Sequence, residues 1–157
     1  MDEYQALRLV HIISSTVLFG TGLGTAFHLW LSHRGGEVPV IAAASRHTVL
    51  ADWLFTTPAV ILQPASGIGL ILLAGHDPFA SWLVASYVLY VIIGAAWIPV
   101  VVIQIRVRDM AAICLSESVP LPPAYYRYMK AWFLLGWPAF LAIIAIFALM
   151  VVKPVLW

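Results

Sequence analysis

The chain has 157 residues, room for one domain, and is 63% hydrophobic but only 10% charged, with a mean hydropathy of +0.99. Soluble domains are about half apolar and about a quarter charged, so this composition excludes a water-soluble globule and marks an integral membrane protein. A net charge of +1 gives no electrostatic footing for nucleic acid, and one cysteine, Cys114, excludes an intrachain disulfide and a cysteine-rich metal site.

Four apolar segments follow in chain order, at roughly residues 10–31, 53–74, 79–105 and 131–152. Each is near or above the ~20 residues a helix needs to cross hydrocarbon. Strand-like alternation is absent, which argues against a β-barrel. The first segment does not read as a cleaved signal: it is long, and its flank "MDEYQALR" is not clearly basic. Short links between segments predict a single all-α domain over 1–157, an antiparallel four-helix bundle running up-down-up-down.

The first segment contains "GTGLG", with Gly20, Gly22 and Gly24 in alternation. A dinucleotide fingerprint needs a strand before the glycines and a helix after them, and Thr25 stands at its third glycine position. Within a bilayer the stretch must be helical to satisfy its backbone, so Gly20 and Gly24 read as a small-xxx-small pair admitting a neighbouring helix. His11 and His28 flank it, about 25 Å apart at ~1.5 Å per residue and on different faces, so they cannot share one ion.

The second segment opens near Asp52, a carboxylate that should orient a histidine, be protonated or pair with a basic group, with Arg106 or Lys130 at the membrane surface as the favoured partner. It continues as "TTPAVILQPASGIG", in which Pro58 and Pro64 each remove a backbone donor, while Gly67 and Gly69 allow close packing near the outer side. Pro99 and Pro138 do the same in the third and fourth segments, so kinked helices around an internal opening are expected. Gln63 and Gln104 read as hydrogen-bonding groups between helices, and His33 and His76 as solvated loop histidines.

Six of the eight Lys and Arg residues lie in the links after the first and third segments: Arg34, Arg46, Arg106, Arg108, Arg127 and Lys130. Arg8 and Lys153 lie with the termini. The positive-inside bias makes the first group cytoplasmic and both termini periplasmic, in a multi-pass protein of the bacterial inner membrane.

The stretches "LVHIISSTVLFGTGLG", "TPAVILQPASGIGLILL" and "SWLVASYVLYV", with the ending "VVKP", resemble the bacterial family of predicted integral membrane proteins called domain of unknown function 2269. The His11 segment, Thr57 to Ala59 followed by Gly67, and Lys153-Pro154 are more distantly similar to HemJ-type protoporphyrinogen oxidases and to the membrane domain of the copper resistance protein CopD. The HemJ resemblance implies a four-helix protein holding b-type haem, with a first-helix histidine matching His11. The Trp-Leu-His-x-Lys motif of that family reads Trp82, Leu83, Val84, Ala85, Ser86 here, without its histidine and lysine.

Two functions stay open on these residues. One is haem b binding for redox or electron transfer, with His11 at one leaflet, or His28 and His47 at the other, as iron ligands. Arg46 would be a propionate partner, and a quinone or membrane redox protein would exchange electrons. The other is a non-enzymatic accessory or assembly subunit without cofactor, in which the small-residue faces serve packing or homo-oligomerisation. No nucleophile, base and orienting acid converge, so no catalytic residue is assigned.

Overall fold

The computed structural model describes residues 1–157 and contains helices without strands: α1 (Glu3–Gly35), α2 (Val38–Ala51), α3 (Thr57–Ala74), α4 (Ser81–Glu117) and α5 (Pro123–Val152). A π-helical turn, Asp52–Thr56, joins α2 to α3, so Val38–Ala74 is one continuous rod and the molecule has four long helices. All four are long and apolar enough to cross a membrane.

Local chemistry sets the ends. Asp2 caps α1 by accepting from the Gln5 backbone N–H at 2.7 Å, while the Gln5 side chain accepts from the Asp2 N–H at 3.2 Å. This reciprocal capping box satisfies two of the helix's orphan donors. Gly36, at φ 76°, stops α1 in the left-handed conformation that glycine adopts without strain. Pro123 sits in the first turn of α5, where its missing N–H costs nothing. At the far end Lys153 turns left-handed (φ 46°) and Pro154 blocks continuation.

The π-turn has a cause two residues beyond its end. In an α-helix the Pro58 ring would clash with the carbonyl of Leu54. The widened turn sends the Thr57 N–H to the Asp52 carbonyl, five residues back, and accommodates the proline. By contrast, helical structure runs on through Pro64, Pro99 and Pro138.

The helices contain 33, 37, 37 and 30 residues, the second counted through the π-turn. At ~1.5 Å per residue they are about 45–55 Å long, against a hydrocarbon core of about 30 Å. Each therefore projects beyond the apolar segment that marks it in the sequence. The excess lies mostly where Arg34, Arg46, Arg106, Arg108, Arg127 and Lys130 fall, here called the basic end. The other, terminal end holds residue 1, the α3–α4 link and the C-terminal tail.

Packing differs between the ends. The buried apolar cluster comprises Leu29, Ile41, Ala42, Ala44, Ile103, Val107, Ala111, Tyr125, Met129 and Trp132. These residues stand near the level of the basic side chains, so they form a core like that of a soluble helical bundle at the basic end of the apolar segments. Tyr125 is fully buried there, its hydroxyl hydrogen-bonded to His33 Nδ1 at 3.1 Å. Through the membrane the contacts are thinner. Helix α1 lies against α2 and α3, α2 against α4, and α4 against α5. The gap between α1 and α5 is bridged by Phe19, stacked on Phe140 with centroids 5.3 Å apart and edge-on to Phe147. The chain exposes 9370 Å², against the about 7,800 Å² expected for a soluble protein of its mass. The surplus is apolar surface for lipid or another helix: Ile12, Leu23, Phe27, Ile61, Val91 and Leu134 all face outward.

Close helix approach occurs at Gly67 and Gly69, as the sequence suggests, and not at Gly20, Gly22 or Gly24. A Cβ on Gly20, Gly22 or Gly24 would meet nothing within 4 Å, so no helix of the same chain sits on that face. The tight contacts are in α3: a Cβ on Gly69 would lie 2.5 Å from Leu7 Cδ2, and one on Gly67 3.4 Å from His11 Cε1.

Candidate functional site

His11 is the best-organised histidine in the membrane. It stands in α1, half-buried against α3, because Gly67 leaves room for its ring. Its Nδ1 is 2.8 Å from Ser66 Oγ. Ser66 is itself 2.6 Å from the Leu62 carbonyl, one turn back in α3. A serine hydroxyl has one proton, and the shorter contact takes it to the carbonyl. Ser66 Oγ then accepts from His11 Nδ1–H, which leaves the lone pair on Nε2, a nitrogen with no hydrogen bond.

Gln63 completes the group. Its Nε2 donates to the His11 carbonyl at 2.7 Å and to Ser14 Oγ at 2.6 Å, and Ser14 Oγ also donates to that carbonyl at 3.1 Å. The expected interhelical role of Gln63 is thus met, and it fixes the α1–α3 register beside the imidazole. Ser14 and Ser66 are both buried, so these bonds form away from water and hold geometry firmly. His11 was legible as an intramembrane histidine; Ser66 and Gln63, 55 and 52 residues away, were not legible as its partners.

The other sequence candidates are differently placed. His28, Arg46 and His47 are all exposed, and none makes a side-chain hydrogen bond. The faces by which α1 and α2 are buried carry Leu29 and Ser32 on one side, and Ile41, Ala44, Ser45 and Thr48 on the other. Each histidine is displaced from those faces by one residue, about 100° of helix rotation. No group of three or more His, Cys, Asp or Glu side chains converges as a metal cluster would.

Three expectations are corrected. His33 is not a solvated loop residue: it is in the last turn of α1, bonded to Tyr125 and flanked by the Tyr126 ring. His76 is exposed as expected, with Lys153 Nζ at 3.5 Å and the Trp82 ring edge-on. Asp52 does not pair with Arg106 or Lys130. Arg106 bonds to the Tyr128 hydroxyl, and the ion pair in the structure is Arg108–Asp109 at 2.8 Å. Asp52 Oδ1 instead accepts from Thr56 Oγ1 at 2.9 Å, across the π-turn. The turn aims Asp52 inward, where a surface ion pair is out of reach. Lastly, glycines 20, 22 and 24 do not seat a helix of this chain.

Comparison with known proteins gives the same coarse picture. No curated protein and no solved structure matches the chain. Residues 5–154 match the family described as predicted integral membrane protein, domain of unknown function 2269, which spans nearly the whole sequence and all four long helices. A chain of four membrane-length helices, matched from end to end by that description, belongs to this family of integral membrane proteins.

Proposed function

We propose that this integral membrane protein binds haem b through His11 and serves electron transfer. The observation that carries the reading is the hydrogen-bond chain His11–Ser66–Leu62, which orients the imidazole and leaves Nε2 as a free lone pair. Histidines that ligate metals characteristically donate their other N–H to a fixed acceptor, which sets the tautomer and strengthens the ligand. Gln63 and Ser14 hold the backbone beneath it. Haem bound there would supply one-electron exchange. The reading uses His11 alone, because His28 and His47 are exposed and separately placed. With the basic end cytoplasmic in a bacterial inner membrane, His11 would lie toward the periplasmic leaflet, within reach of a quinone or a membrane redox protein.

The test is a reduced-minus-oxidised spectrum of protein expressed with ample haem and purified in detergent. Soret and α-band signals are expected, lost in His11→Ala and kept in His28→Ala and His47→Ala. A well-folded, colourless protein would refute the reading.

One observation favours a second reading, an accessory subunit without cofactor. Gly20, Gly22 and Gly24 make a small-residue face that no helix of this chain covers. Such faces seat helices of other chains in bilayers. Copurification of a specific larger complex with colourless protein would support it.

A further inference from the structure

Two stretches that the His11 group does not use, "SWL" at the start of α4 and "VVKP" at the end of α5, meet at the terminal end. Ser81 ties the C-terminal tail to α4: its Oγ accepts from the Leu156 N–H at 2.9 Å and donates to the Pro154 carbonyl at 3.4 Å. Lys153, at the turn that ends α5, lies over Trp82 with its Nζ 5.3 Å from the ring centroid. His76, just beyond α3, stands edge-on to the same indole. Lys153 Nζ and His76 Nε2 are 3.5 Å apart, at the outer limit of hydrogen bonding. Trp82 thus holds two nitrogens side by side. The ammonium always donates, and Nε2 donates in one tautomer or when protonated.

This pair has no anion. The acidic residues at the terminal end are Asp2, Glu3 and Asp77. Asp77 adjoins His76 in sequence, yet its Oδ1 accepts from the Phe79 N–H at 2.9 Å. Asp2 caps α1. The ion pair in the structure, Arg108–Asp109, is at the other end. An ammonium fixed beside an imidazole, with the nearest carboxylate in sequence turned away, presents charge and N–H groups to an outside acceptor.

The surroundings narrow that acceptor. Phe79 is 81% exposed, Val155 90% and Trp157 73%. The tether at Ser81 gathers them around the pair, because Phe79 precedes Ser81 by two residues and Val155 and Trp157 flank Leu156. The apolar segments end near residues 74 and 152 and resume near 79, so Lys153, His76 and Trp82 stand at the border of the hydrocarbon. Lipid phosphates begin there, and tryptophan is enriched at that level. A small soluble anion would meet the pair and leave the apolar side chains uncovered, whereas a phospholipid covers both. The His11 group is separate: its ring packs on Gly67, eight residues before the end of α3 at Gly75, about 12 Å along the helix.

We propose that Lys153 and His76 bind the phosphodiester of one phospholipid in the leaflet at the terminal end. Trp82 supports the ammonium from beneath, and Phe79, Val155 and Trp157 cover the glycerol and the first carbons of the chains.

The experiment labels full-length protein in detergent with a phosphatidylglycerol that carries a photoreactive diazirine near its glycerol, and maps the cross-links by peptide mass spectrometry. Saturable labelling is expected within residues 76–82 and 153–157. Dioleoyl phosphatidylglycerol should displace it, with dioleoylglycerol and inorganic phosphate each weaker by about tenfold or more. Lys153→Met should weaken labelling by about tenfold, and Lys153→Arg, which keeps the charge, should preserve it. If Lys153→Met does not fold, His76→Gln replaces it with the same expectation. The proposal is overturned if those two stretches are not labelled, or if dioleoylglycerol or inorganic phosphate competes as well as the phospholipid. It is also overturned if folded Lys153→Met labels as the unaltered chain does, or if Lys153→Arg loses as much as Lys153→Met.

Discussion

Replacing Tyr125 tests whether the basic end holds the bundle together. The side chain is 0% exposed and sits among Leu29, Ile41, Val107 and Met129. Truncating a fully buried aromatic residue costs about 3–5 kcal/mol, through lost burial and the cavity left behind. Tyr125→Phe keeps the ring and loses only the bond to His33, worth about 1 kcal/mol. The control is Phe140→Ala in the membrane half, where the ring stacks on Phe19. There detergent or lipid tails replace the lost apolar contact, so only the aromatic pair term is forfeited, about 0.5–1.5 kcal/mol. Reversible unfolding in mixed micelles with rising denaturing detergent, followed by near-UV circular dichroism, measures all three. The expected order of destabilisation is Tyr125→Ala well above Phe140→Ala, which is close to Tyr125→Phe. A Tyr125→Ala loss no larger than that of Phe140→Ala would refute the placement of the stabilising core at the basic end.

Three further outcomes are expected. Ser66→Ala frees His11 Nδ1 and should lower haem affinity by about 10–100-fold, read as haem occupancy during dilution, while His11→Ala abolishes it; an unaffected Ser66→Ala protein would show that the orienting bond is unimportant. Gly22→Ala meets no neighbour in the chain and should leave stability unchanged or raise it by about 0.5–1 kcal/mol through helix propensity; a loss of assembly in native gels would locate a partner helix on that face. Pro58→Ala removes the ring that requires the π-turn and should let the rod tighten there with little change in melting, checked by amide exchange over residues 52–58.

The membrane class, the number of spans and their alternation were readable from hydropathy, because hydrocarbon imposes length and apolarity on each segment. The helix ends were not. Arg46 and Ala44 belong to the same helix as Leu62, yet hydropathy stops where that helix leaves the lipid. The π-turn was hidden for a related reason. An extra residue in one turn offsets the faces before and after it by about 100°, so no single helical wheel fits Val38–Ala74. His11 stood out because ionisable residues are costly in a bilayer. Its partners, Ser66 and Gln63, are ordinary residues whose meaning comes from helix pairing alone. The same holds for Gly67: "SGIG" reads as a generic packing stretch until His11 is found against it.

The position of the apolar cluster around Tyr125 bears on how variants of this protein are judged. Heating or denaturing the solubilised chain reports mainly the cooperative unit at the basic end. The His11 group and the face of Gly20, Gly22 and Gly24 lie on the thinly packed side of the molecule. A substitution there can abolish binding or assembly and still melt like the parent chain. One near Met129 or Val107 can shift melting strongly and leave the membrane half chemically intact. Thermal screening would thus rank variants by the region farthest from His11, and expression level would follow the same bias.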